Sequence, residues 1–413
     1  MTASGRPGPG SRGPFRRVAF ALAVTAFGAG APTPVYALYE SRFGFGSGVL
    51  GLVFGAYTLG VVATMLLVAP TSDRVGRRPV LFLGMVLSAL SGLLFAFAGG
   101  VLALAAARIV SGLCVGATTS TATAAMASLI PDGDQHHVAR VAVAANFGGV
   151  ASGVAVSGLL VAYAPDPTRL IFVLLIALSA LGAVAIATVP ETVHAPSPRG
   201  IFHARRPRVP AALARSFGIA AIGLATCYAI YGFFAALAPT FLRTELGVGG
   251  PATIGLVVAT MFALAALAQL ALAEVRDRRA LLLGFPLLLV ALALFAAALL
   301  VASLPLLLAA AALLGTGVGC AYMGSVTLID RVSPEAGRGE ILSMFYLVGY
   351  LALAVPTVGV AFASEAVGLG AAEAAFGAVL GAFVAFAYAT TIATPTPPGG
   401  EGRPRAPRAV EGR

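Results

Sequence analysis

Residues 48–69 read GVLGLVFGAYTLGVVATMLLVA, a stretch without a single charged side chain. A helix rising 1.5 Å per residue crosses the roughly 30 Å hydrocarbon core of a bilayer in about 20 such residues. The run ends in PTSDRVGRRP, residues 70–79, and an equally apolar run resumes over 79–98. Water-soluble chains average about 45–50% apolar and about 25% charged residues. This chain of 413 residues is 59% hydrophobic and 10% charged, with a mean hydropathy of +0.95, so its solvent is lipid.

Outward from that stretch, apolar runs bounded by charges and Gly/Pro clusters predict twelve spans: 17–38, 48–69, 79–98, 101–126, 139–163, 169–189, 214–241, 252–273, 280–301, 304–328, 340–362 and 371–392. The first run is too long, and too closely followed by another, to be a cleaved signal. Cys114, Cys227 and Cys320 all lie inside spans, as small packing residues with no disulfide framework to build.

All 26 basic residues are arginines. They concentrate in the head, in alternate loops and in the tail, whereas Arg42, Arg169 and Arg243 stand on the opposite face. Basic residues in short loops stay cytoplasmic, so both termini are expected in the cytoplasm and the protein in the cytoplasmic (inner) membrane. The net charge of +10 then reflects topology and gives no reason to expect a nucleic-acid partner. Residues 1–16 form an expected disordered head and 394–413 a disordered tail, both poor in apolar side chains. The polar connection 191–213 separates a six-span unit at 17–190 from another at 214–393.

The two units resemble each other. Gly44-Phe45-Gly46 leads into Gly51-Leu52-Val53 as Gly247-Val248-Gly249 leads into Gly255-Leu256-Val257, an offset of 203 to 204; Arg77-Arg78 is echoed by Arg278-Arg279 at 201. A parallel repeat of this size predicts an all-α membrane protein of twelve helices in two pseudo-symmetric six-helix bundles, with a binding site between them near the midplane.

Ser72-Asp73-Arg74-Val75-Gly76-Arg77-Arg78-Pro79, between spans 2 and 3, resembles the loop signature of the major facilitator superfamily, with Ala69 where the family has its first glycine. Read physically, Asp73 is suited to a helix N-terminus, Gly76 to a tight turn, and the forked Arg77 and Arg78 to carboxylates or helix C-terminal carbonyls. With Arg74 they form a gating motif that clasps the cytoplasmic ends of the bundles in one conformation. Arg108-Ile-Val-Ser-Gly112 in span 4 resembles the family's helix-4 motif, which implies a coupling role for Arg108. An arginine within a span should face the interior and find a partner or a wet cavity. The usual helix-1 acid is missing, since span 1 has no carboxylate before Glu40. Asn146-Phe-Gly-Gly149 in span 5 is similar to the antiporter motif without its proline, and Val189-Pro190-Glu191-Thr192 to the family's span-6 ending. Gly149, Gly153 and Ser157, like Gly112, Gly116 and Ser120, give small faces for helix contact. The 12-helix drug/proton antiporter type is the nearest resemblance.

Asn146, Tyr228, Tyr231, Gln269, Tyr322, Tyr346 and Tyr350 are the polar and aromatic residues deep in the spans, and are the candidates for a substrate cavity. Such a lining suits uncharged or amphipathic organic molecules. Asp330, Glu335 and Glu340 read as loop partners of Arg331 and Arg338. Asp132, Asp134, His136 and His137 carry metal-ligating atoms but read as a solvated loop. Gly315-Thr-Gly317-Val-Gly319 follows no strand and is no nucleotide loop. No nucleophile–base pair is found, so an enzyme, a cofactor and a metal are not expected. The reading is a monomeric secondary transporter working by alternating access, exporting a small hydrophobic or amphipathic molecule with protons as the coupling partner. An uptake symporter for a small metabolite is the alternative, and a polytopic membrane enzyme or sensor the remote one.

Overall fold

The computed structural model describes residues 12–67, 72–130, 135–193, 209–236, 239, 242–243, 247, 250–272, 277–301, 303–334 and 338–393. Its elements are α1 (Arg12–Gly30), α2 (Tyr36–Phe43), α3 (Ser47–Leu67), the single turn α4 (Ser72–Val75), α5 (Arg77–Ala96), α6 (Val101–Leu129), α7 (Gln135–Tyr163) and α8 (Pro167–Ala187). A second set follows as α9 (Ala214–Ala236), α10 (Pro251–Ala271), α11 (Asp277–Val301), α12 (Leu304–Val332), α13 (Arg338–Val367) and α14 (Leu369–Ala393). Eleven of these are long and apolar enough to cross a membrane, and no strand occurs among the described residues. Such a chain must satisfy its backbone hydrogen bonds internally, which in lipid leaves helices as the solution for runs of this length.

The first span departs from expectation. It is two helices, α1 and α2, separated by a turn over 31–35. Pro32 and Pro34 lack the N–H groups that would continue the ladder, and the Thr33 N–H turns to the Gly30 carbonyl at 3.1 Å. The Ala29 carbonyl, which Thr33 would take in a regular helix, is thereby released.

Helix pairing falls into two matching sets. In the first, α3 packs on α6, α1 on α6, α7 and α8, and α5 on α6 and α8; in the second, α10 packs on α12, α9 on α12, α13 and α14, and α11 on α12 and α14. Each of these pairs in one set has its counterpart in the other. The two sets meet where α7 packs on α10 and α3 on α13, contacts that are themselves exchanged by the repeat. The small residues obey the same symmetry. A side chain on Gly112 would strike the Tyr57 carbonyl and one on Gly116 the Thr64 Cβ, with the Val61 carbonyl 3.1 Å away, and one on Gly315 or Gly319 would strike the carbonyls of Met261 and Ala265. The glycines recur at an offset of 203 and their partners at 204. Close backbone approach at small residues is what holds helices together in lipid, where burying apolar area against apolar tails gains little. Large apolar side chains such as Leu52, Leu102, Leu256 and Val379 are left on the outer surface.

Candidate functional site

Between the two sets lies a cavity of about 120 Å³, lined from the first by Thr25, Thr33, Phe54, Tyr57, Arg108, Asn146 and Phe147, and from the second by Tyr228, Tyr231, Phe262 and Tyr350, among others. It holds far more than the one water that about 10–15 Å³ admits.

Arg108, on α6, is only 1% exposed. Its Nη1 donates to the Ala29 carbonyl at 3.2 Å, the acceptor released by the break in span 1. Its Nε donates to the Tyr36 hydroxyl at the first residue of α2. Four rings surround the guanidinium, with centroids at 5.2 Å (Tyr36), 5.3 Å (Phe54), 5.7 Å (Tyr57) and 5.9 Å (Phe95). Ring faces attract a desolvated cation by roughly 0.5–2 kcal/mol each, partly offsetting the several kcal/mol of burial. They supply no negative charge. Nη2 has no hydrogen-bond partner among the described residues, and neither do the buried hydroxyls of Thr33 and Tyr231, two other residues of the lining.

The opposite wall is aromatic. Phe147 meets Tyr231 at 5.6 Å between centroids, Tyr231 stacks on Phe262 at 5.1 Å, and Tyr228 meets Tyr350 edge-on at 5.1 Å. Tyr228 and Tyr350 also share a hydrogen bond through their hydroxyls. Edge-to-face rings at such separations hold one another by about 0.5–1.5 kcal/mol beyond their burial, which fixes the wall's shape.

Of the candidates read from the sequence, Arg108, Asn146, Tyr228, Tyr231 and Tyr350 line this cavity. Tyr322 is not part of this lining, its ring 5.5 Å from Phe147 and 6.5 Å from Tyr228, and neither is Tyr346, which shares a hydrogen bond with Tyr322. Gln269 is elsewhere, 1% exposed on α10, and neither of its amide atoms has a partner among the described residues. Thr33, Phe54, Tyr57, Phe147 and Phe262 were not singled out. The paired prolines around Thr33 were the available signal, because a broken span exposes backbone and side chain to a cavity.

The basic loop lies on the face where α1 begins and α14 ends. Gly76 has φ +112°, in the region L side chains rarely adopt. The turn presents the N–H groups of Arg77 and Arg78 to the Glu191 carboxylate at 3.0 and 3.1 Å. Glu191 therefore caps α5, where a negative charge is favoured. The Arg77 Nη1 reaches the Ala124 carbonyl (2.8 Å) and the Ser128 hydroxyl (2.5 Å) near the end of α6. These bonds join elements of the first set. The side chain of Asp73 lies outside the described residues, as do residues 68–71 and Glu335. At the corresponding place in the second set the Arg278 side chain donates to the carbonyls of Thr391 and Ile392 at 3.3 and 3.2 Å.

On the far face the two sets are tied together. The Gly48 N–H, at the start of α3, donates to Glu365 Oε1 from the end of α13 at 2.8 Å. Arg243 lies 3.7 Å from Glu40, and Gly158 of α7 faces Gly255 of α10 backbone to backbone. Of the loop with metal-ligating atoms, Asp132 and Asp134 lie outside the described residues, while the His137 ring is 5.4 Å from that of Phe15. Gly315, Gly317 and Gly319 pack α12 against α10 and α11.

Against known proteins, the profile described as Major Facilitator Superfamily matches residues 18–357. No curated protein matches the chain. Among solved structures, the human organic anion transporter MFSD10 (TETRAN) is similar at 16% identity and a TM-score of 0.68, over 94% of this chain and 100% of that one. A bacterial homologue of the human lysosomal transporter Spinster, in an inward-facing and occupied conformation, is similar at 15% identity and a TM-score of 0.71, over 92% of this chain and 95% of that one. Likeness at such low identity establishes the fold.

Proposed function

This chain belongs to the major facilitator superfamily, and on that premise we propose that it is a proton-coupled secondary transporter exporting a small hydrophobic or amphipathic molecule. The carrying observation is the aromatic cavity between two sets of helices whose pairings repeat. A pocket walled by both halves is opened to either face by rocking one half against the other, which is what alternating access requires. In this reading the units 17–190 and 214–393 are the rocking bodies, 191–213 is their cytoplasmic linker, and the face bearing the ends of the chain is cytoplasmic. Asp73, Arg74, Gly76, Arg77 and Arg78 gate that face, and Arg108 couples the cavity to proton movement.

The far-face ties from Glu365 to Gly48 and from Glu40 to Arg243 support assigning this conformer to the state closed toward the outside. Purified protein in vesicles, given an imposed pH gradient and a panel of amphipathic compounds, tests the proposal. Flux that follows the gradient and falls in Asp73→Asn is expected; gradient-independent flux refutes the coupling, and full flux in Asp73→Asn refutes the gate.

A further inference from the structure

We infer that the cavity holds an amphipathic organic anion, with its carboxylate on Arg108 and its apolar body against the aromatic wall; the inference deepens the transport reading above and rests on it. Arg108 is a permanent cation, 1% exposed, on a cavity between the halves, and no carboxylate pairs with it among the described residues. Two of its nitrogens are used, Nε on the Tyr36 hydroxyl and Nη1 on the Ala29 carbonyl, while the donors of Nη2 have no acceptor among the described residues. A guanidinium presents its N–H groups in a fixed planar fork that matches the two oxygens of a carboxylate. Buried donors of native proteins are nearly always satisfied, so an unsatisfied one enclosed on a residue of the cavity lining points to a ligand.

Two further residues of the lining, Thr33 and Tyr231, carry buried hydroxyls without a partner among the described residues. Thr33 stands beside the break that frees the Ala29 carbonyl, so one local feature of span 1 both orients Arg108 and adds a polar atom. Tyr231 belongs to the second half and is flanked by Phe147 and Phe262. The cationic donor of the pocket therefore comes from the first half, whereas rings line it from both, with Phe147 joining Tyr228, Tyr231, Phe262 and Tyr350 in the aromatic wall. An inorganic anion would satisfy the guanidinium and leave the rings idle; a neutral arene would fill the rings and leave Nη2 unpaired. A molecule with both parts touches both halves.

The test uses the purified full chain in detergent, titrated with 2-naphthoate, 4-phenylbutyrate and their primary amides by calorimetry. A hydrogen-bonded charge pair in a buried site predicts carboxylate binding about ten- to a hundredfold tighter than that of the matching amide. In Arg108→Gln the two should bind within about twofold of each other, since the neutral side chain no longer discriminates by charge. Arg108→Lys, which keeps a charge without the fork, should retain part of the preference and serves if the glutamine variant fails to fold. Equal binding of acid and amide by the wild type, including no binding of any probe, overturns the inference. Retained preference in Arg108→Gln overturns it too, as does chloride competition that is indifferent to the aromatic body. Flux in vesicles separates the two readings. Preferential binding of carboxylates that are never moved leaves the anion site standing and refutes transport, whereas amides moved as fast as acids do the reverse.

Discussion

At Gly76 a backbone angle and a neighbouring carboxylate impose the same residue. Its φ of +112° is strained for any side chain, and a Cβ there would stand 2.6 Å from Glu191 Oε2, the carboxylate that caps α5. Gly76→Ala should therefore destabilise the protein by about 1–3 kcal/mol, seen as a lower melting temperature in detergent. Gly381, in α14, has open space around it; Gly381→Ala should be neutral or stabilising by about 0.5–1 kcal/mol, because alanine restricts the unfolded chain. The contrast tests whether the strain is local to the loop. Glycine at the turn and arginine after it were legible in the sequence. The partner Glu191 stands in the sequence only as part of a family ending, since nothing in the order of residues brings it beside a loop more than a hundred positions earlier.

The break between α1 and α2 is a device of the element. Pro32 and Pro34 remove two donors, the turn frees the Ala29 carbonyl, and α2 begins at Tyr36 with its hydroxyl on Arg108. Replacing both prolines by alanine should let the helix run on and recapture that carbonyl. Thermal stability should hold or rise, while affinity for an aromatic carboxylate falls, a split that calorimetry on one preparation reads directly. A second element-level device is the Glu191 cap, whose carboxylate accepts from two N–H groups of α5. Glu191→Gln should cost about 0.5–2 kcal/mol by melting temperature, with no change in the cavity's ligand preference.

For the whole molecule the question is what holds the far face shut. Cys114, Cys227 and Cys320 are all buried, so a membrane-impermeant maleimide should label the folded wild type little, and a cysteine placed at Thr33 then reports access to the cavity. Gly158→Leu should raise that labelling from the far side, because Gly158 and Gly255 meet with no room for a side chain; unchanged labelling would rule out this seam as the closure. Proton concentration should act through Glu40, beyond the predicted end of span 1. Burial pushes its carboxyl up from the ordinary 4.5, and Arg243 pulls it partly back. A group whose pKa is higher in the closed state binds protons there, so closure is unhindered below 4.5 and loses stability as pH rises through the raised value. Far-side labelling should accordingly fall on acidification, and the dependence should flatten in Glu40→Gln.

The sequence by itself determined that the chain is a bundle of lipid-spanning helices, that its halves repeat, and which loop carries the charged signature, because apolar run length and repeated local pattern are properties of the chain's order. It did not determine how each helix is turned about its axis. In water an apolar stripe opposite a polar one settles that question. Here lipid and interior are both apolar, and the stripe is missing. Gln269 and Tyr322 look equal to Tyr228 and Tyr231 when read in order, yet the first two miss the cavity and the second two line it, with Thr33, Tyr57 and Phe147 beside them. Arg108's environment was likewise decided only by packing. The tertiary structure gave it rings and a stray carbonyl instead of an acid, through contacts between α6 and residues 72 and 79 positions away.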